Sequence, residues 1–330
     1  MTRAAIIALA ALAVVILSPW WGMEPLNWSV LGDIRAHTPA GVIFWQIRIP
    51  RTLAAFLAGS ALATAGMAFQ AYFRNPLATP YTLGVSSGAA VGAALAIRLG
   101  IPALVPFLPA TALFGFLGAM ACTLLLYGLT RLRGGFSTPA LLLTGVALSF
   151  LLSSVLLALQ YTSSLHDAYR LLRWMMGGVG MVGYESVLTM LPFVVAGVVT
   201  IGLLSDTLDL LSVGETTAMT RGVDVDRLNR VLFFVVSLMI GGVVSVCGPI
   251  GFVGIMVPHT CRLLFGYRHR VLFPVVALSG GMLLTLCDGV ARTIIAPAEL
   301  PVGVVTALIG GPFFLFLVLT GHASDRPRGN

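Results

Sequence analysis

The densest group of ionisable side chains lies between Ser205 and Arg230, in the stretch SDTLDLLSVGETTAMTRGVDVDRLNR. It contains Asp206, Asp209, Glu215, Arg221, Asp224, Asp226, Arg227 and Arg230, with long apolar runs on both sides. Elsewhere, Asp288 is set within apolar sequence, four residues ahead of Arg292, which is the spacing of an ion pair along one helix face. His259 follows Pro258 at the edge of an apolar run and reads as a packing residue. Cys122, Cys247, Cys261 and Cys287 are scattered with no CxxC, as suits small buried hydrophobes. No lysine occurs, which rules out both a Walker-type phosphate loop and a lysine Schiff base. No nucleophile–base pair stands out, and no carboxylate ring of the kind a metal-ion channel needs.

The chain that positions these groups is 58% hydrophobic and 9% charged over 330 residues, with mean hydropathy +0.99. Soluble domains carry about 25% charged residues. The apolar runs are continuous rather than alternating, so the expected class is an all-α membrane protein and not a barrel. Hydrocarbon offers no water to eight charges, so Ser205–Arg230 belongs in an aqueous compartment. Its middle reads as a short amphipathic helix, with Leu208, Leu210, Leu211 and Val213, then Thr216, Ala218 and Met219, broken at Gly214 and Gly222. Such a helix either offers its apolar face to an external partner or is a solvated linker between two halves.

About ten spans of roughly 20 residues account for the hydropathy. The first covers Ala4 to Leu17 and closes on Trp20 and Trp21; a polar interval from Glu24 to Gln46 follows. The second runs from near Arg48 to Phe73 and ends at Asn75-Pro76. The third to sixth reach from Leu83 to Leu204, with a short surface helix expected at Ala168–Met176. Four more follow the polar stretch, ending near Leu319. Arginines favour the loops that share a side with Ser205–Arg230, among them Arg3, Arg74, Arg131, Arg133, Arg268 and Arg270. The positive-inside rule then places that stretch and both termini in the cytoplasm. Arg48, Arg51 and Arg292 fall at span ends on the opposite side, where an anionic partner or lipid headgroups could meet them. An ion-coupled carrier would place several acidic groups or histidines inside the membrane. Their scarcity leaves a passive pathway driven by an external energy source.

Several motifs then become specific. Arg48-Ile49-Pro50-Arg51, Gly66 to Gln70, Asn75-Pro76-Leu77-Ala78 and Leu83 to Ala89 occur in order in the first half. Trp174 to Gly178, Gly248 to Gly254, Val257-Pro258-His259 and Glu299 to Gly303 follow in the second. Together they resemble the FecCD-type permeases, the membrane subunits of ABC importers for ferric siderophores, haem and vitamin B12. The resemblance covers about Trp28 to Leu319 and implies a ten-helix, vitamin B12 importer permease-like fold. Residues 1–330 would form a single transmembrane permease domain, with 205–230 as the cytoplasmic coupling segment. It further implies a homodimer in the bacterial inner membrane, served by two cytoplasmic ATP-binding cassette subunits and a periplasmic substrate-binding protein. This chain would hold no cofactor, ATP and Mg being bound by the ATPase. Residues matching the coupling helices are Leu210, Gly214, Glu215, Met219, Arg221 and Gly222. Arg48, Arg51 and Arg292 match positions that dock the binding protein, and Asn75, Leu77 and Thr138 match a cytoplasmic gate. The expected cargo is a bulky iron chelate, with cobalamin as the alternative. An ion-coupled carrier and a signalling or scaffold membrane protein are the remaining, weaker readings.

Overall fold

The computed structural model describes residues 2–103, 108–132, 138–180 and 183–319. The elements these residues form are helices, joined by loops and turns. Helix α1 (Thr2–Leu17) leads through an aromatic loop to a single turn, α2 (Pro39–Gly41), which passes by a π-helical stretch (Val42–Arg48) into α3 (Ile49–Phe73). Then come α4 (Val85–Arg98), α5 (Ala110–Leu132), α6 (Thr138–Tyr161), α7 (Leu165–Met175) and α8 (Glu185–Leu203). The polar stretch folds as α9 (Ser205–Val213) and α10 (Glu215–Thr220). The chain continues with α11 (Val225–Cys247), α12 (Val253–Phe265), α13 (His269–Thr293) and α14 (Val302–Leu319). Among the described residues seven helices are long and apolar enough to cross a membrane, and α4, α12 and α14 are shorter apolar helices. These ten coincide with the spans expected from hydropathy. The surface helix expected at Ala168–Met176 is α7.

One boundary differs. The interval Glu24–Gln46 is not all loop, because the second span begins at Pro39 and runs unbroken for 35 residues to Phe73. Pro39 suits a first helical position, and the Thr38 hydroxyl accepts from the Gly41 N–H at 3.1 Å. Asp33 secures the approach, accepting from Thr38 Oγ1 at 2.6 Å and from the Thr38 and His37 N–H groups, each at 2.9 Å. These bonds, the Thr38 hydroxyl first, hold the Asp33 carboxyl below the usual carboxylate range. Trp20, Trp28 and Phe44 stack over the same loop, and Trp45 Nε1 donates to Val30 O at 2.9 Å.

Helix α3 is the axis of the packing, with every residue from Ala58 to Phe73 buried. Lipid supplies no hydrophobic drive between helices, so close backbone approach has to hold them together. Small residues permit it. A Cβ on Gly59 would lie 2.2 Å from Gly280 O of α13, and one on Gly66 would lie 1.9 Å from Gly254 O of α12. Four residues beyond Gly66, Gln70 Nε2 donates to the same Gly254 carbonyl at 3.1 Å. The spacing Gly66 to Gln70 thus has one structural reason, the α3–α12 crossing. A second seam joins the end of α7 to the turn before α12 and the start of α14. The Gly178 N–H donates to Cys247 O at 2.7 Å, and the Gly303 N–H to Gly177 O at 3.2 Å. Gly177, at φ +68°, lies against Pro249 O, where a Cβ would come within 2.2 Å. All four cysteines are buried free thiols.

Gly66→Val should be far more damaging than Gly128→Ala, whose added Cβ meets nothing within 4 Å. The expected cost at Gly66 is about 2 kcal/mol or more, from overpacking against backbone that cannot yield. Thermal unfolding of the two purified variants in detergent checks it; equal melting temperatures would contradict the packing.

Candidate functional site

Two polar clusters sit at opposite ends of the α3–α13 pair. At one end, the Asp288 side chain is 1% exposed and lies between two guanidiniums. Arg51 Nε donates to Asp288 Oδ1 at 3.0 Å, and Arg51 NH2 lies 3.0 Å from the same oxygen. Arg292 Nε lies 3.1 Å from Oδ2. The helical i, i+4 pair expected from the sequence is therefore present, but a third member joins it from 237 residues away. Arg51 NH1 also donates to Glu299 Oε2 at 2.8 Å. Arg48 stands alongside, donating to Pro19 O at 3.2 Å and Glu24 O at 2.6 Å. Arg48 and Arg292 are buried. Anchored by the chain's own carbonyls and carboxylates, they do not splay outward as snorkelling side chains would. The three arginines border a cavity of about 150 Å³, together with Glu24 and Glu299.

At the other end, α9 and α10 form a bent pair around Gly214, whose φ of 156° and ψ of 149° belong to a region essentially reserved for glycine. Leu208, Leu211 and Ala218 are buried against the body, while Leu210 is half-buried against the same core. Val213 and Met219 are 72% and 54% exposed, and Arg221 and Gly222 are exposed beside them. The hairpin thus has an anchored side and an apolar outer side. Val213, one of the apolar residues expected in that helix, belongs to that outer side, whereas Leu210, matched through the family resemblance, is half-buried.

Polar contacts tie the hairpin to the α3–α13 pair. Asp209 Oδ1 accepts from the His269 backbone N–H at 2.8 Å, and the His269 ring Nδ1 lies 2.6 Å from the same oxygen. A carboxylate can only accept, so Nδ1 carries the proton there. Asp209 thereby caps the first turn of α13 from a neighbouring element. Glu215 Oε1 lies 3.8 Å from Arg74 NH2, with both side chains nearly half exposed. Arg74 itself adopts the left-handed conformation that ends α3, at φ 48°. Directly after it the Leu77 N–H donates to Asn75 Oδ1 at 2.9 Å, fixing a turn in which Leu77 is 41% exposed. Thr138 opens α6, and its side chain lies outside the described residues.

The FecCD transport family matches residues 7–320. The chain belongs to that family. The vitamin B12 import permease BtuC of Shigella boydii is 42% identical over 294 residues, covering 89% of this chain and 88% of that one. An uncharacterised ABC transporter permease of Bacillus subtilis, YvrB, is 40% identical, covering 86% of this chain and 80% of the relative. Among solved structures, one described as an inward-facing conformation of a metal-chelate type ABC transporter superposes with TM-score 0.86 at 30% identity. It covers 97% of this chain and 99% of its own. PsaBC of Streptococcus pneumoniae shares the fold at TM-score 0.57 and 16% identity, with 87% and 94% covered. This FecCD protein is thus an all-helical, multi-pass permease subunit of a bacterial type II ABC importer. It is not itself the ATPase, and the importer type implies ATPase and binding-protein partners.

Asp288→Ala should destabilise the permease by about 3–5 kcal/mol, because two buried guanidiniums lose their shared carboxylate. Glu299→Ala, at a side chain 42% exposed, should cost less than about 1 kcal/mol. Melting curves of the purified variants distinguish the two; a mild Asp288→Ala phenotype would show that the cluster is solvated.

Proposed function

We propose that this chain is the inner-membrane permease through which a bulky metal chelate enters the cytoplasm. It works as a homodimer with two ATP-binding cassette subunits and a periplasmic substrate-binding protein. Both termini and residues 205–230 lie in the cytoplasm, the latter as the coupling segment of a single permease domain. The observation that carries this reading is the build of α9–α10. Its inner face is buried, its outer face offers Val213 and Met219, and Asp209 and Glu215 tie it to both helices of the central pair. Apolar side chains of that kind suit a cleft on an ATPase, with Glu215 and Arg221 fixing register at the rim.

Movement of the hairpin during hydrolysis would reach α13 through Asp209–His269 and the end of α3 through Glu215–Arg74. The turn holding Asn75 and Leu77 begins one residue beyond Arg74, so the gate assigned to Asn75, Leu77 and Thr138 would move with it. At the other end, Arg48, Arg51 and Arg292 would receive acidic groups of the binding protein, giving orientation and on-rate more than affinity.

The relatives reorder the expected cargoes. Permeases named for vitamin B12 are 41–42% identical over most of the chain, which favours a corrinoid over the iron chelate that the sequence suggested first. The likeness to a transporter of the metal-chelate type keeps ferric siderophores and haem as the second reading.

Reconstitution with the ATPase and binding protein should give ATP-dependent uptake of cyanocobalamin well above that of a ferric hydroxamate or haemin. Preference for either iron compound would reverse the assignment, and ATP hydrolysis by the isolated chain would end the importer reading. Met219→Asp combined with Val213→Asp should lower coupled uptake about tenfold or more while the permease still folds. Full uptake by that variant would remove the coupling role from this face.

A further inference from the structure

Arg51 presents its donors to two carboxylates in unlike surroundings. Nε and NH2 point to Asp288, which is enclosed and shared with Arg292. NH1 points to Glu299, whose side chain is 42% exposed and lies in the loop between α13 and α14. Glu299 stands at the border of the cavity that Arg48 and Arg292 also line. The enclosed carboxylate has no solvent alternative, so it stays in place and sets the direction of the guanidinium. The exposed one gains little over water and is exchangeable.

We infer that Glu299 is a stand-in for a carboxylate of the docking partner. In the free permease it occupies Arg51 NH1; on docking, an Asp or Glu side chain of the substrate-binding protein takes its place in the cavity. Asp288 is the positioning residue that keeps Arg51 aimed outward throughout. This rests on the reading of Arg48, Arg51 and Arg292 as the docking group. An internal competitor is always present at high effective concentration, so it shortens the life of the docked state without altering which partner fits. Release of the emptied binding protein after each cycle is the process it would serve.

The test uses the permease–ATPase complex in lipid nanodiscs and the importer's own substrate-binding protein, with association and dissociation rates measured at low and high salt. Glu299→Gln should tighten docking about three- to tenfold at low salt, with the gain shrinking at high salt. Glu299→Asp should restore wild-type behaviour. Arg51→Glu should abolish docking. If Glu299→Gln docks no more tightly than wild type while Arg51→Glu abolishes docking, the stand-in role is overturned and the docking reading survives. If Arg51→Glu docks normally, the docking reading fails and takes this inference with it.

Discussion

A single enclosed carboxylate holds one end of the bundle together. Asp288 has two guanidiniums within 3.1 Å and almost no contact with solvent. In so poorly hydrated a place each charge depends on the others, since none of them can fall back on water. Arg51 belongs to α3 and Arg292 to α13, so this contact fixes how the two helices meet at that end. Along their length the pair is sealed by glycine against backbone, and Ser60 Oγ adds a hydrogen bond to Ala277 O at 2.8 Å. At the far end Asp209 and Glu215 reach the pair from the α9–α10 hairpin. A 25-residue helix is about 37 Å long, so these two sets of contacts lie roughly a membrane apart. Helices packed through backbone have little room to deform, and they transmit displacement as bodies.

The contacts at the two ends differ in strength, and the difference matters for a moving machine. The Asp288 cluster is buried and would be costly to break. The Arg74–Glu215 pair spans 3.8 Å between half-exposed side chains, a geometry that contributes at most about 1 kcal/mol. The hairpin is therefore held chiefly by Leu208, Leu211, Ala218 and the Asp209 cap. A hairpin anchored this way can tilt about its buried side without detaching.

Hydropathy sufficed to locate the ten apolar helices, because long uncharged runs broken by Pro and Gly have few other interpretations. It also set Ser205–Arg230 apart, since charges in that number need water. The start of the second span was missed: the capping arrangement of Asp33, Thr38 and Pro39 and the apolar Val42-Ile43-Phe44-Trp45 after it both mark the start, but the charged and polar residues from Glu24 to His37 dominate the interval. The second partner of Asp288, Arg51, was out of reach, because a pairing across 237 residues leaves no local periodicity. Burial of Arg48 and Arg292 was missed for the same reason, since beyond Asp288 their partners are the distant carbonyls of Pro19 and Glu24 and the Ser18 hydroxyl. Spacing found the apolar residues of the hairpin, Val213 among them, but could not say which side faced the body.

The continuous helix from Pro39 to Phe73 has a consequence of its own. At 35 residues it measures about 52 Å, whereas the hydrocarbon layer is about 30 Å thick. Whatever part of the excess is not absorbed by tilt has to project, and the charged Arg74 directly after Phe73 sets that end at the interface and the projection at the Pro39 end. Arg51 then lies near the level of the phospholipid phosphates, with the overhanging turns beyond it and Trp20, Trp28 and Phe44 clustered among themselves. Buried against the chain's own carbonyls and carboxylate, Arg48 and Arg292 are in any case withheld from the far more abundant anionic headgroups.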